Sequence, residues 1–135
     1  MYEKDDKLGE GSSYNYWLGQ AKQGFIIKLD ECARTISGCQ LKNKGEEITL
    51  NARAYGTKEF KVLGATNKSG PWNILLEEEL EDTRNKPAPL LNFTFSEPAT
   101  VQFLKFEVIS HYGPGGGLQY FAAIPLRRKY IELIC

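Results

Sequence analysis

Apolar and polar residues alternate along four short stretches of this chain. "FIIKLD" sets Phe25, Ile27 and Leu29 on one side and Lys28 and Asp30 on the other. "EFKVLG" opposes Phe60 and Val62 to Glu59 and Lys61, and "LNFTFS" opposes Leu91, Phe93 and Phe95 to Asn92 and Thr94. "FLKFEVI" opposes Leu104, Phe106 and Val108 to Lys105 and Glu107. A period of two with one polar face predicts antiparallel strands that share a core on one side and meet water on the other. "TISGCQLKN" and "WNILLEEEL" are weaker strand candidates; Gly70-Pro71 ahead of the second, and the β context, favour strand over a short helix. Several short strands separated by turn residues predict an all-β fold, an antiparallel β-sandwich or jelly roll.

Alternating strand directions send successive connections to opposite ends of such a sandwich. The connections at 31–34, 65–70 and 96–100 then share one end and are short. Those before Phe25 and across 43–57, 82–90 and 110–118 share the other end and are long. A connection as long as 43–57 is uncommon unless it is functional or disordered. Lengths sorted by end describe a scaffold with one binding rim.

Composition narrows the class. With 135 residues, 41% hydrophobic and 25% charged, the chain has the make-up of one globular domain rather than a disordered polymer. Seventeen basic and seventeen acidic residues cancel. That balance argues against nucleic acid as a partner, since such binding rests mostly on phosphate neutralisation. No apolar run approaches the roughly 18 residues of a transmembrane segment. "MYEKDDKLGEGSS" has no apolar stretch of the signal-peptide kind. Two locations therefore stay open, the cytoplasm and a module of a longer secreted or surface protein, and we expect the extracellular one. Cys32, Cys39 and Cys135 permit at most one internal disulfide and leave its pairing open. Asn67-Lys68-Ser69 and Asn92-Phe93-Thr94 match the acceptor pattern for N-glycosylation.

The rim expected from the connection lengths carries binding chemistry and little that is catalytic. "HYGPGGGLQYF" joins the sole histidine, His111, and Tyr112 to a glycine run that lets backbone approach a ligand closely, beside a flat aromatic face. One histidine excludes a two-histidine zinc site, and no nucleophile or orienting acid is marked for a triad, so no enzymatic activity is expected. The 43–57 segment offers Asn43, Arg53 and Tyr55; a planar donor fork and a paired donor and acceptor suit vicinal hydroxyls or a carboxylate. Tyr16 ahead of the first clear strand, and Arg84 with Asp82 in "LEDTR", fall at the same rim, where Asp82 and Arg84 could equally pair with each other. Ile48 and Leu50, with Trp17, offer an alternative, an apolar contact with an anionic phospholipid surface; for Trp17 a core position is the stronger expectation. Trp72, at the opposite end, is expected in the core. A calcium site of carboxylates and carbonyls is compatible with this fold class. "EKDDKLGEG" supplies carboxylates, but no ligand spacing supports a site, so no cofactor is assigned.

In combination, "NYWLGQAKQGFIIKLDECARTISGCQLKN", "GTKEFKVLG", "SGPWNILLEEELEDTR", "FLKFEVIS" and "YGPGGGLQYF" resemble the coagulation-factor type C, or discoidin, domains of the galactose-binding-like superfamily. The resemblance covers about residues 15–124. It implies one domain over 1–135, an eight-stranded barrel-like antiparallel sandwich with a closing strand at 126–135. It also implies loops at one end that bind glycans or, in some members, phospholipid head groups or protein partners. The early cysteine with which many members close is absent, since none precedes Cys32. The expectation is a carbohydrate-binding, lectin-like module of a cell-adhesion kind. Its expected contacts are Asn43, Arg53, Tyr55, His111 and Tyr112, with Tyr16 and Arg84 beside them. Phospholipid or protein binding is the alternative.

Overall fold

A computed structural model describes residues 2–5, 7–8, 16–46 and 55–126. They build an all-β sandwich of ten strands: β1 (Tyr2–Asp5), β2 (Lys7–Leu8), β3 (Trp17–Gly19), β4 (Gly24–Lys28) and β5 (Arg34–Asn43), then β6 (Gly56–Ala65), β7 (Asn73–Glu79), β8 (Leu90–Val101), β9 (Phe103–Tyr112) and β10 (Gly116–Pro125). One sheet has the order β1-β4-β9-β6-β7. The other has the order β2-β10-β5-β8, with β3 also paired to β10. Every pairing is antiparallel except that of β1 with β4. The closing strand expected at 126–135 lies outside the described residues beyond Leu126.

The alternating apolar positions face one another between the sheets. Phe25, Ile27, Phe60, Val62, Leu104, Phe106 and Val108 come from the first sheet, and Cys39, Leu41, Leu118 and Phe121 from the second; each is fully buried. Phe106 is the hub, stacked on Phe25 at 5.4 Å and on Phe60 at 5.3 Å between ring centroids. Trp17 closes the core edge-on to Phe25 at 5.4 Å and to Phe106 at 6.0 Å. Aromatic pairs at such geometries contribute roughly 0.5–1.5 kcal/mol each beyond burial. Trp17 is thus a core residue with no face left for a membrane, which corrects its place in the phospholipid alternative.

The segments 96–100 and Trp72 depart from expectation. Residues 96–100, expected as a connection, belong to β8. After an irregularity in which five residues of β8 span two of β5, Ala99, Thr100 and Val101 pair with Ile36, Thr35 and Arg34. Pro98 has no N–H to give the ladder, yet β8 is an edge strand with one side unpaired, where proline is tolerated. The β8–β9 turn is consequently only Gln102. Trp72 is half-buried rather than core, with the Lys105 ammonium 4.3 Å from its ring centroid.

The expected division into two poles is present. At one pole the short turns bond together: Leu29 N–H donates to the Gln102 carbonyl (2.8 Å), and Gln102 donates through its N–H to Ala65 (2.9 Å) and through Nε2 to the Asp30 carbonyl (3.0 Å). Cys32, in the first of these turns, is disulfide-bonded, whereas Cys39 is a buried free thiol. At the other pole stand the connections 20–23, 80–89 and 113–115, together with residues 44–46 after β5 and Tyr55 before β6.

Candidate functional site

The long connections form one rim because backbone and buried side chains bond them together. Gly56 N–H donates to the Gly115 carbonyl (3.0 Å) and Glu46 N–H to the Lys86 carbonyl (3.0 Å). The Thr83 hydroxyl donates to the Lys44 carbonyl (2.8 Å). Asn43 is the central clasp, only 2% exposed. Its Nδ2 donates to the carbonyls of Thr57 (2.9 Å) and Glu81 (3.3 Å), and its Oδ1 accepts from the N–H groups of Lys44 (2.9 Å) and Thr57 (3.1 Å). Thr57, equally buried, donates its hydroxyl to the Gly117 carbonyl at 2.7 Å and so joins the two sheets. Asn43 therefore spends its amide on the scaffold, which corrects the expectation that it meets ligand directly.

On this frame two groups of side chains stand at the rim. The first is built on the 80–89 connection. The Asp82 carboxylate accepts from Arg84 Nε (2.9 Å), Arg84 Nη2 (2.8 Å) and the Arg84 backbone N–H (3.1 Å). This bidentate fork fixes the guanidinium in one plane. The hydrogen bond from Arg84 holds the Asp82 carboxyl below its ordinary value of 3.8, and the same bond raises Arg84. The guanidinium carbon lies 5.6 Å from the Tyr112 ring centroid. Tyr112 is itself fixed by its hydroxyl, which donates to the Leu80 carbonyl at 2.8 Å. Gly56 makes room between them: a Cβ there would stand 3.1 Å from Arg84 Cγ and 3.8 Å from the Tyr112 ring.

The second group lies on the glycine run. A Cβ at Gly115 would stand 2.7 Å from the Tyr55 ring and 2.9 Å from Gln20 Nε2, and one at Gly117 only 2.6 Å from Lys44 Cγ. Three chain segments thus rest on bare backbone at this point. Neighbours approach closely at 115 and 117, more restrictively at 117, where the atom met belongs to the stem of a fully buried lysine; conformational freedom is used at Gly113, whose φ is 65°. Lys44 is fully buried along its length, with its ammonium 5.9 Å from the Tyr16 ring centroid. Gly115 and Gly117 are two residues apart, so the contacts of Tyr55 and Gln20 and that of Lys44 fall along one short stretch of backbone.

Tyr16, Tyr55, Arg84 and Tyr112 therefore all stand at the rim, each partly exposed. His111 is at the same pole, its Nδ1 3.1 Å from the Gly113 carbonyl. As consecutive residues of β9, His111 and Tyr112 leave the strand on opposite faces, so only Tyr112 belongs to the Arg84 group. Arg53, Ile48 and Leu50 lie outside the described residues. Gln20, Thr57 and Thr83 were not singled out from sequence. Gln20 is one polar residue in a polar turn, and the two threonines carry no motif that marks them. No group of three or more His, Cys, Asp or Glu side chains that could hold a metal is present among the described residues. No described helix is long and apolar enough to cross a membrane.

The fold has known relatives in three dimensions. A family 32 carbohydrate-binding module from a family 31 glycoside hydrolase of Clostridium perfringens superposes with a TM-score of 0.63 at 15% identity, covering 87% of this chain and 81% of that one. The family 32 module of C. perfringens NanJ, solved in complex with galactose, gives 0.61 at 15% identity over 84% and 80%. A chitosan-binding module from the chitosanase/glucanase of Paenibacillus sp. IK-5 gives 0.59 at 14% identity over 84% and 79%. The chain thus has the galactose-binding-like, discoidin-type sandwich. No protein-family model and no curated protein sequence matches it.

Proposed function

We propose that this domain is a non-enzymatic carbohydrate-binding module, a lectin-like unit whose ligand sits on the rim between the 80–89 connection and the glycine run. The observation that carries the reading is the Asp82–Arg84 fork held over Tyr112 on a sandwich of the same fold as several carbohydrate-binding modules. A sugar offers apolar C–H faces and hydroxyls that both donate and accept. Tyr55 and Tyr112 present rings for the first; a carboxylate beside a guanidinium presents an acceptor and donors for the second. Tyr16 borders the same surface, and His111 stands at the same pole on the opposite face of β9. A disulfide-bonded Cys32 fits an oxidising compartment, hence a module of a secreted or surface protein.

Affinity is modest on this reading, because a polar rim exchanges water hydrogen bonds for sugar hydrogen bonds nearly one for one. A glycan array probed with folded protein, with and without calcium, tests it. Binding to a defined set of glycans, lost on replacing Tyr112 by alanine, is the expected result. An array without hits from folded protein would overturn the reading. The burial of Trp17 removes one of three contacts from the phospholipid alternative.

A further inference from the structure

Two sequons lie in very different settings. Asn67-Lys68-Ser69 occupies the β6–β7 turn, and all three residues are exposed. The Gly70 N–H donates to the Asn67 carbonyl at 2.8 Å and closes a four-residue turn. Within it the Asn67 side chain folds back on its own backbone: Oδ1 accepts from the Ser69 N–H (3.1 Å) and from the Ser69 hydroxyl (2.9 Å). Asn67 Nδ2 meets no partner among the described residues. Asn92-Phe93-Thr94, by contrast, is paired into β8. Its three residues stand opposite Gln40, Cys39 and Gly38, and Asn92 Oδ1 accepts from Gln40 Nε2 at 2.9 Å. The middle residue, Phe93, packs edge-on against Phe60 at 5.7 Å. Alternate residues of the extended strand stand roughly 6–7 Å apart. No hydrogen bond joins the Thr94 hydroxyl to the Asn92 amide among the described residues, and the oxygen of that amide is held by Gln40 instead.

We propose that Asn67 is the N-glycan acceptor of the folded domain, and that Asn92 is not. The donor class is a polyprenyl diphosphate-linked oligosaccharide. Asn67 Nδ2 forms a bond to the anomeric carbon of the donor's first sugar. The bond from that carbon to the phosphate oxygen breaks, and the lipid diphosphate leaves with the electron pair. One Nδ2 proton passes to a base of the transferase. The two hydrogen bonds from Ser69 draw amide electron density toward Oδ1 and so ease that proton's loss, while they turn Nδ2 outward. A glycan here projects from the pole opposite the rim, about 30 Å away along the ten residues of β6. Its presence is independent of what the rim binds.

The test uses the folded chain, a purified single-subunit eukaryotic oligosaccharyltransferase and a lipid-linked oligosaccharide, read by intact mass and glycopeptide mapping. The expected product carries one glycan, at Asn67. Asn67→Gln abolishes transfer, Ser69→Ala slows it at least tenfold, and Asn92→Gln leaves it unchanged. Urea-unfolded protein, modified at both asparagines, serves as the control that the enzyme accepts either sequon. Transfer to the folded chain at Asn92 as readily as at Asn67, or transfer only after unfolding, would overturn the proposal.

Discussion

The Arg84 guanidinium lies 5.6 Å from the centre of the Tyr112 ring, although one residue belongs to the connection after β7 and the other ends β9. Neither is placed by the other alone. Asp82 grips the guanidinium from its own loop, and Leu80 accepts the tyrosine hydroxyl at the exit of β7. The consequence is a polar and aromatic surface held in one geometry before any ligand arrives, which lowers the ordering cost of binding.

Replacing Asp82 with asparagine keeps the shape and removes the charge that orients Arg84. Glycan affinity is expected to fall about tenfold, roughly 1.4 kcal/mol, by calorimetry with the best ligand from the array. Because the folded-state carboxyl sits below 3.8, the pair contributes stability above that pH, and the contribution is lost as pH falls below it. The stability difference between wild type and Asp82→Asn, small because the pair is partly exposed, should therefore be present near neutral pH and vanish in strong acid. Chemical denaturation at a series of pH values measures it.

Two glycines of one run should respond differently to the same substitution. Alanine at 117 meets the Cγ of the fully buried Lys44, which has no room to swing, so Gly117→Ala should cost about 1–3 kcal/mol in urea unfolding. Alanine at 115 meets one edge of the partly exposed Tyr55 ring and the far end of the exposed Gln20, side chains with room to move. Gly115→Ala should leave stability within about 0.5 kcal/mol while weakening glycan binding through the displaced ring. Equal losses of stability at both positions would contradict this account.

Asn43→Ala separates a scaffold role from a contact role. The substitution orphans backbone groups of Thr57 and Glu81 in a buried place, and at least about 2 kcal/mol of stability should be lost. A variant that kept full stability yet lost binding would return Asn43 to the ligand surface.

Cys39 offers a probe of the core. Burial pushes its thiol up from 9.0 to about 12. The neutral form is the one the fold accommodates, so stability should decline as pH rises past 9.0, where the unfolded chain releases that proton and the folded chain does not. Native protein should resist iodoacetamide at mildly alkaline pH, and unreduced protein in denaturant should be labelled at Cys39 and not at Cys32 by peptide mass mapping. Labelling of Cys32 in the unreduced protein would show that it is unpaired.

Much of the fold was legible because period-two alternation is a local property. Phe25 and Ile27, Phe60 and Val62, or Phe106 and Val108 declare their inward face within a few residues, and strand direction then sorts the connections by end. Residues 96–100 misled because Pro98 and its polar neighbours look the same in a turn and on an edge strand with one side unpaired. Trp72 misled because an aromatic ring can be sheltered by a lysine stem as well as by a core.

By itself the sequence determined the all-β class, the two poles and the rim on which Tyr16, Tyr55, Arg84 and Tyr112 stand, since each follows from spacing along the chain. Only the tertiary structure decided the roles within that rim. Asn43 became a clasp, Arg84 was turned onto Tyr112, and Gly115 and Gly117 became bare backbone beneath other side chains. Those outcomes depend on contacts between segments tens of residues apart, whose distances and hydrogen bonds exist only after the sheets have packed.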